Sequence, residues 1–174
     1  IANEVGLFIE DVEEIPTHGG SLRVWFKKIK PLKISPIVEK ILDCESKFQL
    51  DSLYCYQNFQ ERAFQVKLDF LSFLIQSKQK KLNIYGYGAA AKGNTLLNYL
   101  GVKNDLIKGI ADKAKSKQGK FMPGSHIPII SIEELVKNKP DYIIVFPWNL
   151  ISEIKAQLKG FKLITIMPKI KYWD

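Results

Sequence analysis

I-Y-G-Y-G-A-A-A-K-G-N-T at 84–95 sets the architecture of this chain. The apolar run L-N-I-Y at 82–85 predicts a strand, and the residues after the glycines predict a helix through about residue 100. A glycine-rich turn between a strand and a helix is the context a phosphate-binding loop requires. On this reading Gly86 allows the tight turn and Gly88 lets the backbone approach a ligand. The helix N-terminus presents N–H groups and a positive dipole end to an anion. Ala89, Ala90 and Ala91 keep that surface small, Lys92 adds a point charge, and Gly93 and Asn94 follow as further binding candidates. The third glycine of the dinucleotide fingerprint falls at Ala91, where alanine is tolerated. The pattern also fits a tight turn with no ligand.

Downstream, short apolar runs alternate with helical segments. Strands are expected at 106–111, 127–130, 141–146 and 161–167, with helices over 132–138 and 149–159. Ser131 and Glu134 stand at capping-box positions. Such alternation predicts an α/β fold: a Rossmann-like open, mainly parallel sheet with helices on both faces. Asp112 ends the second strand, where these folds place an acid for a ribose hydroxyl. The polar loop 116–128, with Lys117 and His126, follows on the ligand-binding side. P-W-N at 147–149 follows a later strand. Trp148 suits stacking on a base or sugar as well as core packing, and Asn149 stands beside it.

Upstream, 5–15 and 21–29 read as two strands joined by P-T-H-G-G-S. His18 in that turn is either structural or close to a ligand that the two glycines admit. Pro31 and Pro36 mark a linker. Residues 49–79 contain neither proline nor glycine, and Leu53, Tyr56, Phe59, Ala63, Val66, Phe70 and Phe73 follow helical spacing. Phe64, Leu68, Leu71 and Ile75 form a second stripe, which predicts a long helix buried over a wide face.

Hydrophobic residues make up 46% and charged residues 25% of the 174, ordinary for a soluble globular protein. No apolar run reaches the roughly 18 residues of a membrane span, and no signal peptide opens the chain. Ile1 in place of Met suggests an excised piece. Cys44 and Cys55 fit neither a zinc pattern nor a disulfide framework, which points to a reducing, cytoplasmic setting and no metal site in this chain. The net charge of +8 raises nucleic acid as a partner. Against it, only Arg23 and Arg62 of the 26 basic residues are arginine, and the lysines are dispersed. A solvated lysine surface, or one that guides a phosphorylated small molecule, is the expectation.

Taken together, D-V-E-E-I-P-T-H-G-G-S-L-R-V at 11–24, Y-G-Y-G-A-A-A-K-G-N-T-L-L at 85–97, K-Q-G-K-F-M-P-G-S-H-I-P-I at 117–129, K-P-D-Y at 139–142 and W-N-L at 148–150 resemble the C-terminal domain of the S-adenosylmethionine-dependent sugar C-methyltransferases. Members act on nucleotide-linked deoxysugars. They combine a zinc-binding N-terminal region, an S-adenosylmethionine domain and a nucleotide-binding-like C-terminal domain. The resemblance implies that 1–28 are terminal strands of the S-adenosylmethionine domain, 29–81 a linker and long helix, and 82–174 the Rossmann-like domain. It implies a nucleotide-sugar ligand of the thymidine diphosphate type, with no nucleic-acid or membrane partner. S-adenosylmethionine and zinc are expected outside this chain.

The chain departs from the family pattern in lacking the zinc cysteines, the donor-binding glycine motif and the Tyr-x-Glu-His segment of the proposed base. Its 161–170 stretch is also poorer in glycine. His18 is therefore the one catalytic candidate, with the main base expected elsewhere. Gly86, Gly88, Ala89, Lys92, Gly93, Asn94, Asp112, Lys117, His126, Trp148 and Asn149 are the substrate-binding candidates. Two other readings stay open: a nucleotide-binding module of an NAD-type oxidoreductase or sugar acyltransferase, and a non-enzymatic interaction domain.

Overall fold

The computed structural model describes residues 1–173; Asp174 and the side chain of His18 lie outside the described residues, and so does the role expected of His18. The chain forms two compact units, Ile1–Gln60 and Glu61–Asp174.

In the first unit, β1 (Phe8–Ile15) and β2 (Ser21–Lys27) pair antiparallel around the short 3-10 turn Thr17–Gly19. The prolines that suggest a linker do not prevent a helix. Pro36 opens α1 (Pro36–Lys47), where a missing N–H costs nothing. The Ser35 hydroxyl donates to Asp11 Oδ1 at 2.7 Å and ties the helix start to β1, while Val12 and Val38 are buried. The periodic stretch 49–79 is not one helix. Leu53–Tyr56 is a 3-10 turn, with the Tyr54 N–H donating to the Ser52 hydroxyl, and α2 runs Phe59–Gln79.

The second unit carries most of α2 and then β3 (Ile84–Tyr87), α3 (Ala91–Leu100), β4 (Ile110–Ala111), β5 (Ile129–Ile130), α4 (Ile132–Lys137), β6 (Tyr142–Val145), α5 (Ile151–Gln157), β7 (Leu163–Thr165) and β8 (Lys171–Trp173). The sheet order is β5-β4-β3-β6-β7-β8, parallel except for β8 on β7. The first five strands follow the order of dinucleotide-binding sheets. The expected 106–111 strand shortens to two residues, because Leu106 and Ile107 turn back to bond the Lys103 carbonyl.

Alternation along the strands sorts the core into two layers. Ile84, Ile110, Ile144 and Phe146 pack with Phe70 and Leu74 of α2 and Leu97 of α3. Tyr85, Tyr87, Ile143 and Val145 pack with Leu135 of α4 and Ile151 and Ile154 of α5. Both faces of the sheet are thus covered, as the alternating pattern predicts. The wide buried face expected of the long helix is not found. Phe70 and Leu74 are buried, but Phe64, Leu68 and Ile75 of the second stripe are exposed.

Phe146 determines two of the glycines. A Cβ on Gly86 of β3 would lie 2.7 Å from Phe146 Cε2, and one on Gly93 of α3 would lie 2.7 Å from Phe146 Cγ and 2.8 Å from its Cβ. Gly86 therefore lies inside β3 and makes room for the ring, and does not form the turn. Gly93 is thus the glycine of α3 that Phe146 requires.

Two effects oppose each other in Gly93→Ala. Helix propensity favours alanine by about 1 kcal/mol. Overpacking against an atom close to the Phe146 backbone costs about 1–3 kcal/mol. We expect a net loss of stability in urea unfolding, and a gain would refute the wedge.

Candidate functional site

The loop after β3 meets most of its own hydrogen-bonding needs. The Gly86 N–H donates to the Gly109 carbonyl at 2.8 Å, and the Gly88 N–H to the Ala111 carbonyl at 2.7 Å. The Ala89 N–H donates to Asp112 Oδ2 at 2.8 Å, and the Ala90 N–H to the Gly88 carbonyl at 2.8 Å. Gly88 has φ +88°, and a Cβ there would lie 2.5 Å from Pro147 Cδ. Its glycine is thus required by conformation and by Pro147. Ala91 and Gly93 lie in the first turn of α3, where amides have no helical partner by position, and Ala90 makes no side-chain cap.

Asp112 follows β4 directly, as the fold pattern predicts, and its oxygens are engaged within the chain. Oδ2 accepts from the Ala89 N–H and from Lys117 Nζ at 3.1 Å; Oδ1 accepts from the Ala114 N–H at 2.8 Å. Lys117 Nζ also donates to the Ala89 carbonyl at 3.0 Å. One carboxylate therefore ties the glycine loop to the loop after β4.

Between these loops lies a cavity of about 350 Å³. Ala89, Ala90, Ala91 and Asn94 form one wall, and Ser116, Lys117, Lys120 and Phe121 the other. Asn94 Oδ1 is buried with no hydrogen-bond partner among the described residues. On the other side of the loop is a smaller hollow of about 190 Å³, lined by Tyr87, Gly88, Asp112, Pro147 and Glu153 among others. There the Tyr87 hydroxyl is 3.1 Å from Gln157 Oε1. Burial pushes the Tyr87 phenol up, and the charges of Glu153 and Asp112 add to this. Burial also raises Tyr85.

The geometry gathers Ala89, Asn94 and Lys117 around one cavity, with Asp112 bonded to its walls. Gly86 and Gly93 face Phe146. Lys92 and Trp148 pair with each other, Nζ lying 5.6 Å from the centre of the half-buried indole. Asn149 is exposed in the 3-10 turn Trp148–Leu150. His126 is exposed at φ +56° in the turn that closes the 117–129 loop, away from the cavity lining. The 17–21 turn borders a separate hollow of about 500 Å³ that includes Glu14, Pro16, Gly20 and Ser21. Lys120 and Phe121 were not singled out from the sequence. An aromatic next to lysines in a polar loop is the signal the sequence offers. No group of three or more metal-ligating side chains, and no helix long and apolar enough to cross a membrane, occurs among the described residues.

Residues 16–168 match the model of a protein family, the C-methyltransferase C-terminal domain. The C-methyltransferase NovU of Streptomyces niveus is 31% identical over 157 residues, which is 90% of this chain and 37% of NovU. The chain thus spans little more than a third of the length of this curated relative.

Asp112→Ala should speed amide exchange at Ala89 and Ala114 and cost about 1–3 kcal/mol, the scale for buried donors left unpaired. Unchanged exchange at both would remove Asp112 from this role. In an alkaline absorbance titration, Tyr85 and Tyr87 should ionise above the ordinary tyrosine range. Their folded values lie above the unfolded one, so the linked stability is intact below the ordinary tyrosine range and is lost as pH climbs through the folded values.

Proposed function

We propose, for a chain that belongs to the C-methyltransferase C-terminal domain family, that it is the part of a methyltransferase that holds a nucleotide-linked deoxysugar. The observation that carries this reading is the lysine-flanked cavity beside the loop after β3, at the C-terminal ends of the strands, where open α/β sheets take ligands. Lys117 and Lys120 suit a diphosphate, and the three small alanines leave room for it. A nucleoside diphosphate of the thymidine type is the nucleotide we expect. On this reading the anion lies beside the loop, between Lys120 and the remaining donor of Lys117, and not over Gly86 and Gly88, whose amides are engaged.

Methylating a carbon requires a carbanion. A neighbouring keto group acidifies the C–H, a general base takes the proton, and the carbon attacks an electrophilic methyl. S-adenosylmethionine supplies that methyl in the enzyme we envisage. The loop after β3 is a poor fit for such a ribose-bearing cofactor, because Asp112 already accepts from three donors and Pro147 crowds Gly88. The same observation disfavours an NAD-type module. The contribution assigned to this chain is anchoring: binding energy from the distant nucleotide holds the reacting carbon in place. We assign donor binding, proton removal and any zinc to the remainder of the enzyme.

The test is an NMR titration of the chain with thymidine diphosphate, up to millimolar ligand at low salt. Shifts should gather at 89–94 and 116–123, and Lys117→Ala should weaken binding by about 1–3 kcal/mol. Shifts confined to other surfaces, or tighter binding of NAD than of thymidine diphosphate, would sink the reading. S-adenosylmethionine should give no heat in calorimetry at the same concentrations.

A further inference from the structure

We propose that Phe121 is the stacking platform for the nucleobase of the ligand, an inference that rests on the nucleotide reading of the cavity. Phe121 is 61% exposed and lines the cavity with Lys117 and Lys120. It is the aromatic side chain among the residues that line this cavity.

Its backbone is held firmly. Phe121 forms a bridge with Pro128, the Met122 N–H donates to the Ile127 carbonyl at 2.9 Å, and the Ile129 N–H to the Lys120 carbonyl at 2.8 Å. Met122 and Ile127 are buried on either side of this small hairpin. The ring is thus presented from an ordered scaffold, so little entropy is lost when a planar group settles on it. Trp148, the aromatic that the sequence suggested for stacking, already has Lys92 over its ring.

An aromatic face binds any base, because every base has a π-face. Phe121 therefore contributes affinity without choosing between bases, and that choice falls to hydrogen-bonding groups such as Asn94. The base lies over Phe121 and the diphosphate runs toward Lys117 and Lys120.

The experiment compares Phe121→Ala and Phe121→Tyr with the unaltered chain, using thymidine diphosphate, adenosine diphosphate and inorganic pyrophosphate as probes. Phe121→Ala should weaken both nucleotides by about 5- to 150-fold, leave pyrophosphate unchanged, and abolish the upfield ring-current shift of the base protons. Phe121→Tyr should restore both. Unaltered nucleotide affinity in Phe121→Ala would overturn the platform and leave the nucleotide site standing. Equal weakening of pyrophosphate would mean that Phe121 only shapes the cavity, and would overturn it too. Failure of the unaltered chain to bind any nucleotide would overturn both readings. Because the ring is exposed, an unchanged unfolding midpoint should accompany each variant.

Discussion

The ring of Phe146 lies where β3 and α3 each give up a side chain. Gly86 and Gly93 are separated by a full strand-to-helix turn, and both face the same ring. The next residue, Pro147, occupies the space beside Gly88. Two consecutive residues directly after β6 therefore account for three glycines some sixty positions earlier. The contact brings α3 close to the sheet and determines the path of the loop between them. The position of Ala89, and with it one wall of the cavity, follows from that path. A packed interior transmits such constraints because it has few voids to absorb them.

This changes what a glycine motif means in this fold. Free amides cradling a phosphate would be the expectation from the loop sequence alone. The backbone instead bonds to Gly109, Ala111 and Asp112, and the acid expected for a ribose serves the loop itself. Two lysines, Lys117 and Lys120, line the cavity one step further on, in the loop after β4. Strand order and loop position are those of dinucleotide-binding sheets, while the polar groups are used differently. Fold and ligand chemistry are separable in this way.

Much of the fold was legible in the sequence because the strands of the second unit are short, apolar and punctuated. Ile84, Ile143 and Ile144 belong to runs that only a sheet covered on both faces can bury. Local patterns could not reveal the partner of Gly86 and Gly93, since Phe146 is distant in the chain. Pro36 is ambiguous in itself: it breaks a helix from within and starts one from the first position. The second stripe of α2 has helical spacing, but spacing does not say what covers it, and Phe64 and Leu68 are exposed. At the site, Ala89, Asn94 and Lys117 were singled out from loop position. Phe121 was passed over because an aromatic in a polar loop reads as packing until its exposure is known.

The carboxylate of Asp112 joins two walls of the cavity that are contributed by residues 89–94 and 116–129. Those segments meet only when β3 and β4 are paired, so the cavity is a property of the native state and of no unfolded form. A molecule that needs both walls therefore shifts the folding equilibrium by mass action, by about 2.7 kcal/mol when its concentration is a hundred times its dissociation constant. Thermal stability then becomes a meter of occupancy. A ligand could be recognised by the rise in melting temperature alone, without any turnover.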